Sequence, residues 1–164
     1  MPSGKSSFNW RYLFIPLIII IVVVADIFTK NWIRTHQYGD IITTIGFIDI
    51  VHIENTGAAF GMFQGQAAVL RVIACIMLAV IVAGGVYISR RYKYLISVWN
   101  IIAFSFIIGG TIGNLIDRFR FGPVTDFIDA RFFPAFNVAD SGITIGAIML
   151  AISVLRQVAA PKPQ

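Results

Sequence analysis

Charge is scarce in this sequence. Only 13% of the 164 residues are Asp, Glu, Lys or Arg, where a soluble globular protein carries about 25%. So few charges cannot clothe a water-exposed surface, which excludes a water-soluble enzyme. Cysteine is nearly absent as well: Cys75 stands alone inside an apolar stretch. It can form no intramolecular disulfide and is read as a buried, inert side chain. His36 and His52 share no short metal-ligand spacing with each other or with Cys75, so no zinc site is expected. Neither common glycine-rich phosphate loop occurs, and no local signature marks a serine nucleophile. No cofactor or metal is implied. With 57% hydrophobic residues and a mean hydropathy of +0.81, the chain is not disordered. Lipid is its main solvent.

Four stretches approach the roughly 20 apolar residues a spanning helix needs. They are about 12–32, 67–88, 94–116 and 138–155. The first holds an unbroken apolar run, Tyr12–Ala25, then Asp26, Thr29 and Lys30. Lys5 and Arg11 before that run suggest a signal peptide, but Val24-Ala25-Asp26-Ile27-Phe28 offers no small-x-small cleavage site, so the helix is retained. The second span carries Arg71 near its start, where interfacial snorkelling is the default. The third is uncharged but polar in places, and the fourth opens with Asp140.

The net charge of +5 would suggest nucleic acid in a soluble protein. Here it sorts by segment. Lys5 and Arg11, then Arg90, Arg91 and Lys93, then Arg156 and Lys162 occupy three segments without a single acid. The other six bases lie with all eight acids between residues 26 and 140. The positive-inside rule then predicts an N-in/C-in membrane α-helical protein with four transmembrane helices. One domain, 1–158, is expected, followed by a disordered tail over 159–164. The longer loops, about 33–66 and 117–137, face outward. Ile41–Ile53 is rich in β-branched residues and leads into the turn signal Glu54-Asn55-Thr56-Gly57, predicting a small β element over about 40–64 at the membrane surface. The second loop sets Phe127, Ile128, Phe132, Phe133 and Phe136 between charges and suits the interface.

Ionisable residues at membrane depth are expensive and mark functional candidates. Asp26 and Lys30, four apart with the acid first, favour an ion pair; that bland reading outweighs substrate contact. Glu54–Gly61 alone reads as a turn. Gly109 and Gly113 form a small-xxx-small packing pattern, which leaves Asn114, Asp117 and Arg118 unexplained. Asp126 and Asp129 could be solvated loop acids, and Asp140 a helix N-cap. Chemistry alone allows a catalytic pair among Asp117, Asp126, Asp129 and Asp140.

Taken together, these clusters resemble the lipoprotein signal peptidase (signal peptidase II) family of bacterial intramembrane aspartyl proteases. The matching segments are Asp26-x-x-Thr29-Lys30, Asn55-Thr56-Gly57-Ala58-Ala59-Phe60-Gly61, Gly110-x-x-Gly113-Asn114-Leu115-Ile116-Asp117-Arg118, Gly122-x-Val124-x-Asp126-Phe127-Ile128 and Phe136-Asn137-Val138-Ala139-Asp140-Ser141. They occur in the family's order and leave out only the tails. Phe60 stands where some relatives have tryptophan. The resemblance implies Asp126 and Asp140 as catalytic carboxylates. It implies Asn55, Gly57, Asn114, Arg118 and Asn137 as substrate-contacting or site-shaping residues, and Asp26, Lys30, Gly110, Asp117 and Ala139 as structural support. The implied substrate is a prolipoprotein with a diacylglyceryl cysteine, cut just before that cysteine at the outer face of the bacterial cytoplasmic membrane. Membrane phospholipid and globomycin-type peptide inhibitors are the other implied partners. A proton or cation path through Asp26, Asp126 and Asp140 is the main competing class, and a scaffold assembling through Gly109 and Gly113 the second. The first predicts polar residues spread along helix interiors, and the second leaves the acids unexplained.

Overall fold

The computed structural model describes residues 10–57, 66–92 and 97–159. A short 3-10 turn, Trp10–Leu13, leads into α1, Phe14–Ile33. Two strands follow, β1 at Ile41–Ile45 and β2 at Ile48–Asn55. Then come α2 at Ala67–Arg91, α3 at Val98–Arg120, β3 at Val124–Asp129 and α4 at Val138–Ala159. All four α-helices are long and apolar enough to cross a membrane. Residues 58–64 of the expected β element, Lys5 and Lys93, and 160–164 of the expected tail lie outside the described residues.

The helices are built inside out relative to a soluble bundle. On α1 the side chains turned inward are Val22, Asp26, Lys30 and Ile33, while Leu17, Ile20, Ile21, Val24 and Phe28 are exposed. Spacings of four, four and three residues put the inward set on one helix face. The apolar outer face has lipid for solvent. α3 is the helix on which the other three pack, and it buries Ser105, Asn114 and Asp117 with small residues between them. α2 packs mainly against α3. Most of its surface is therefore open to lipid, and Cys75 is exposed there rather than buried as expected. Ser97 caps α3 by accepting a hydrogen bond from the Asn100 N–H at 3.1 Å, which starts the helix later than the hydropathy suggested. It also runs on through Asp117 and Arg118 to Arg120. α4 extends to Ala159, one residue into the expected tail.

Small residues let α3 approach α1 and α4 closely. A Cβ on Gly110 would overlap the Ala139 carbonyl oxygen and lie 2.8 Å from Ile143 Cγ1. A Cβ on Gly113 would fall 2.7 Å from the Asp26 carboxylate and 3.2 Å from Ala139 Cβ. Gly109 meets Val22 in the same way, so the small-xxx-small pattern serves helix packing as predicted.

The strands form one antiparallel sheet in the order β1-β2-β3. β1 and β2 are a hairpin turning at Gly46-Phe47, with Ile45 opposite Ile48 and Gly46 at φ +63°. β3 pairs with β2, Asn55 opposite Val124 and Asp49 opposite Asp129. The hydrophobic pattern gave no sign of β3, because Asp126 and Asp129 interrupt its alternation. After β3, the Phe127 and Ile128 N–H groups donate to the Phe136 carbonyl, which returns the chain to the start of α4. The sheet thus covers the end of the bundle where α1 and α3 finish and α2 and α4 begin.

Gly110→Val is expected to weaken the fold by about 1–3 kcal/mol, the usual cost of overpacking. Gly84→Ala on α2, where an added Cβ meets nothing within 4 Å, is the neutral control. Thermal unfolding of the two variants in detergent checks this; equal stabilities would contradict the close approach.

Candidate active site

The site is assembled from the inside outward, beginning with charge. Lys30 is fully buried, and its Nζ lies 2.7 Å from Asp26 Oδ2, 3.3 Å from Asp117 Oδ2 and 3.0 Å from Asn114 Oδ1. Arg34, one turn further along α1, pairs with the other oxygen of Asp117 at 2.7 Å. Two acids and two bases thus balance in the bundle interior, and the expected Asp26–Lys30 pair is present as part of this larger network. A buried charge is tolerable only when paired and hydrogen-bonded. The remaining lone pairs find backbone donors: Asp26 Oδ1 accepts from the Ala139 N–H at 2.9 Å, and Asp117 Oδ2 from the Thr125 N–H at 3.1 Å. One network therefore ties α1 to α3, β3 and the first turn of α4.

Asn114 passes this order outward. Its carbonyl oxygen accepts from Lys30 and from Asn137 Nδ2, at 3.0 and 3.1 Å, leaving its amide NH2 to donate to Asp140 Oδ1 at 2.7 Å. Asn137 does two things. Its Oδ1 accepts the Asp140 N–H at 2.9 Å and so caps α4, while its Nδ2 donates to Asp126 Oδ1 at 2.7 Å. The cap is therefore Asn137, and Asp140 sits three residues inside the helix with its carboxylate free to face the site. Asn55, at the end of β2, donates to the other oxygen of Asp126 at 2.9 Å. The Asn55 side-chain Oδ1 accepts the Gly57 N–H at 3.0 Å and closes the turn.

Asp126 and Asp140 come from different elements and line one cavity of about 960 Å³, together with Asn55, Gly57 and Arg118. Arg118 also donates weakly to the Asn114 carbonyl at 3.5 Å. Burial first, and the negative charge of Asp140 second, push the Asp126 carboxyl up to about 7; the hydrogen bonds from Asn55 and Asn137 oppose the rise. Like charges brought together in a poorly solvated place resist simultaneous ionisation. Asp129 is directed elsewhere, its Oδ1 accepting the Arg131 N–H at 2.7 Å. Asp117, Asp26, Lys30, Gly110 and Ala139 all lie behind the cavity rather than on its wall. Among the described residues no cluster of His, Cys, Asp and Glu could hold a metal ion.

Three participants escaped the sequence reading: Arg34, the Thr125 backbone, and the pair Asp49–Arg131. Arg131 Nε and NH2 grip both Asp49 oxygens at 2.8 Å, and Thr44 adds a hydrogen bond at 2.7 Å. The Arg131 and Thr44 bonds hold the Asp49 carboxyl down at about 2.

Four membrane-length helices under a small sheet, with two carboxylates from separate elements on the wall of one largely apolar cavity, define a multi-pass membrane protein. Comparison with known proteins is specific. A family model described as signal peptidase (SPase) II matches residues 18–156, and the chain belongs to that family. A lipoprotein signal peptidase of Dehalococcoides mccartyi is 47% identical over 132 residues, covering 79% of this chain and 81% of that protein. One from Blochmanniella pennsylvanica is 34% identical over 158 residues, 90% and 92% of the two chains. A solved bacterial membrane enzyme, determined at 2.3 Å resolution, superposes with a TM-score of 0.80 at 32% identity and covers 99% of both chains. A second, at 1.9 Å, gives 0.74 at 34% identity over 94% and 98%.

Replacing Lys30 by Met leaves Asp26 and Asp117 buried with one cation fewer. Removing one partner of a buried pair typically costs about 3–5 kcal/mol, so the variant is expected to unfold at clearly lower temperature in detergent. A wild-type melting point would contradict the network.

Proposed function

We propose that this chain is an aspartic endopeptidase that removes the signal peptide from diacylglyceryl-modified prolipoproteins, cutting just before the lipidated cysteine. Its membership of the signal peptidase II family and the names of its relatives support the substrate class. The observation that carries the catalytic reading is the joint placement of Asp126 and Asp140 on one cavity, with Asp126 pushed to about 7. At neutral pH such a pair holds one proton between its members. Asp126 carries it and Asp140 is the base.

In the reaction, Asp140 takes a proton from a water whose oxygen attacks the scissile carbonyl carbon. Asp126 donates a hydrogen bond to the carbonyl oxygen as negative charge grows there. When the tetrahedral intermediate collapses, the C–N bond breaks and the departing nitrogen receives the proton taken from water. Asn114 and Asn137, bonded to each other, orient Asp140 and Asp126 respectively, and Arg118 supplies positive charge on the cavity wall. Asn55 and Gly57 form the edge along which the substrate backbone lies. Asp26, Lys30, Gly110, Asp117 and Ala139 hold these groups in place from behind.

The basic segments at the opposite end of the helices support an N-in/C-in orientation in the bacterial cytoplasmic membrane. The cavity then opens near the outer face, where a signal helix ends and a lipidated cysteine emerges. A lateral path between helices admits both together, and membrane phospholipid surrounds the entrance. Cyclic peptides of the globomycin type are inhibitors consistent with this cavity.

Asp126→Asn and Asp140→Asn proteins are expected to insert normally yet leave a lipidated precursor uncut, while Asp129→Asn retains activity. Full cleavage by either of the first two would overturn the assignment. In the wild type, kcat/KM should fall as the pH rises through about 7, because Asp126 then loses the proton through which it hydrogen-bonds the carbonyl oxygen; a rate flat from pH 6 to 9 would contradict this role. A cysteine placed at position 91 should resist an impermeant thiol reagent applied from outside, and labelling there would reverse the orientation.

A further inference from the structure

The cavity has an aromatic lip whose chemistry the carboxylates do not use. Phe47, at the tip of the β1–β2 hairpin, and Phe132 and Phe133, just beyond β3, all line the cavity that holds Asp126 and Asp140. They are 64%, 82% and 55% exposed. Phe47 and Phe132 face each other with ring centroids 6.4 Å apart, and Phe133 meets Phe136 edge-on at 6.2 Å. Large aromatics this exposed are costly in water.

They are nevertheless held firmly. Arg131, immediately before Phe132, has φ +66°, a left-handed conformation that costs a non-glycine residue of order 1 kcal/mol or more. Its N–H is bonded to Asp129, and its guanidinium grips both oxygens of Asp49 on β2. Bidentate arginine–carboxylate pairs fix geometry as well as adding energy. The strained turn and the clip together set the Phe132–Phe133 segment against the hairpin tip. The lip is thus a formed surface on the wall of the same cavity as the carboxylates.

We propose that Phe47, Phe132 and Phe133 seat the acyl chains of the substrate's modified cysteine, and that Arg131, clipped to Asp49, is the positioning residue that shapes the seat. This rests on the proteolytic reading above. A cysteine adjoining the scissile bond must bring its lipid within a few ångströms of the carboxylates. The wall of the same cavity that presents three exposed aromatics is the one chemically suited to receive it. The seat contributes binding energy shared by ground state and transition state, so it acts on KM and leaves kcat alone.

The test is steady-state kinetics in detergent with one prolipoprotein peptide carrying either two palmitoyl or two butyryl chains on its glyceryl cysteine. The wild type is expected to show a KM at least about tenfold lower for the long-chain substrate, since each further buried methylene adds binding. Phe132→Ser/Phe133→Ser should raise the long-chain KM about tenfold, with the short-chain KM and both kcat values within about twofold of wild type. Arg131→Gln should move the long-chain KM in the same direction, and Asp49→Arg with Arg131→Asp should restore it in part. An unchanged long-chain KM in the phenylalanine variant overturns the proposal. So does an equal rise for both substrates, which would make the lip a general anchor to the detergent or bilayer surface. A loss of kcat would show that the lip shapes the carboxylates instead, and overturns it too. Failure of the wild type to cut either peptide defeats the proteolytic reading itself, which the lip variants do not address.

Discussion

A lysine ammonium placed among apolar helices has to be compensated on every side, and in this protein that requirement organises everything near the sheet. Lys30 gathers Asp26 from its own helix, Asp117 and Asn114 from α3, and through Asp26 the Ala139 N–H in the first turn of α4. Asp117 in turn draws in Arg34 and the backbone of β3. Each of these groups would be unaffordable alone at membrane depth, so the set forms together or not at all. Because all the donors of Lys30 and most acceptors of its partners are used, the network has one low-energy arrangement. Asn114 inherits that uniqueness: with its carbonyl committed to Lys30 and Asn137, its NH2 can only face Asp140.

The site built on this foundation opposes stability. Asp126 is buried beside another carboxylate, and its folded value of about 7 stands above the ordinary 3.8. A carboxyl that holds its proton more tightly when folded favours the folded state only while protonated. Its contribution is unfavourable once the pH rises from about 4 through 7, on the order of 4 kcal/mol when fully ionised. The charge network behind it, the α3–α4 glycine contacts and the sheet hold the carboxyl in place against that tendency. This is the pattern of a functional site: local strain maintained by rigid surroundings.

Much of this was legible in the residues. Long apolar runs located all four helices, since lipid demands them, and the i, i+4 spacing of Asp26 and Lys30 announced their pairing. Boundaries set by hydropathy slipped where a polar side chain decides the matter. Ser97 delays the start of α3, and Asp117 extends its end because its charge is paired there with Lys30 and Arg34. Asn137, rather than Asp140, caps α4. β3 is hidden twice over: Asp126 and Asp129 interrupt its alternation, and its hydrogen-bonding partner, β2, lies some seventy residues upstream, with Asn55 and Asp126 71 apart. The Asp49–Arg131 clip, spanning 82 residues, was hidden for the same reason. Cys75 is exposed although it stands in an apolar run, because apolarity in a membrane protein does not mean burial.

The carboxylate site draws on α1, β2, α3, β3 and α4, leaving out the Trp10–Leu13 turn, β1 and α2 among the described elements. A chain threaded into the bilayer from its N-terminus therefore carries no working site through its first three crossings. The cap on α4 is made by the same asparagine that positions Asp126, so the start of the last helix and the placement of that carboxylate rest on one side chain. A chain ending before the cap of α4 would thus lack both Asp140 and the asparagine that holds Asp126.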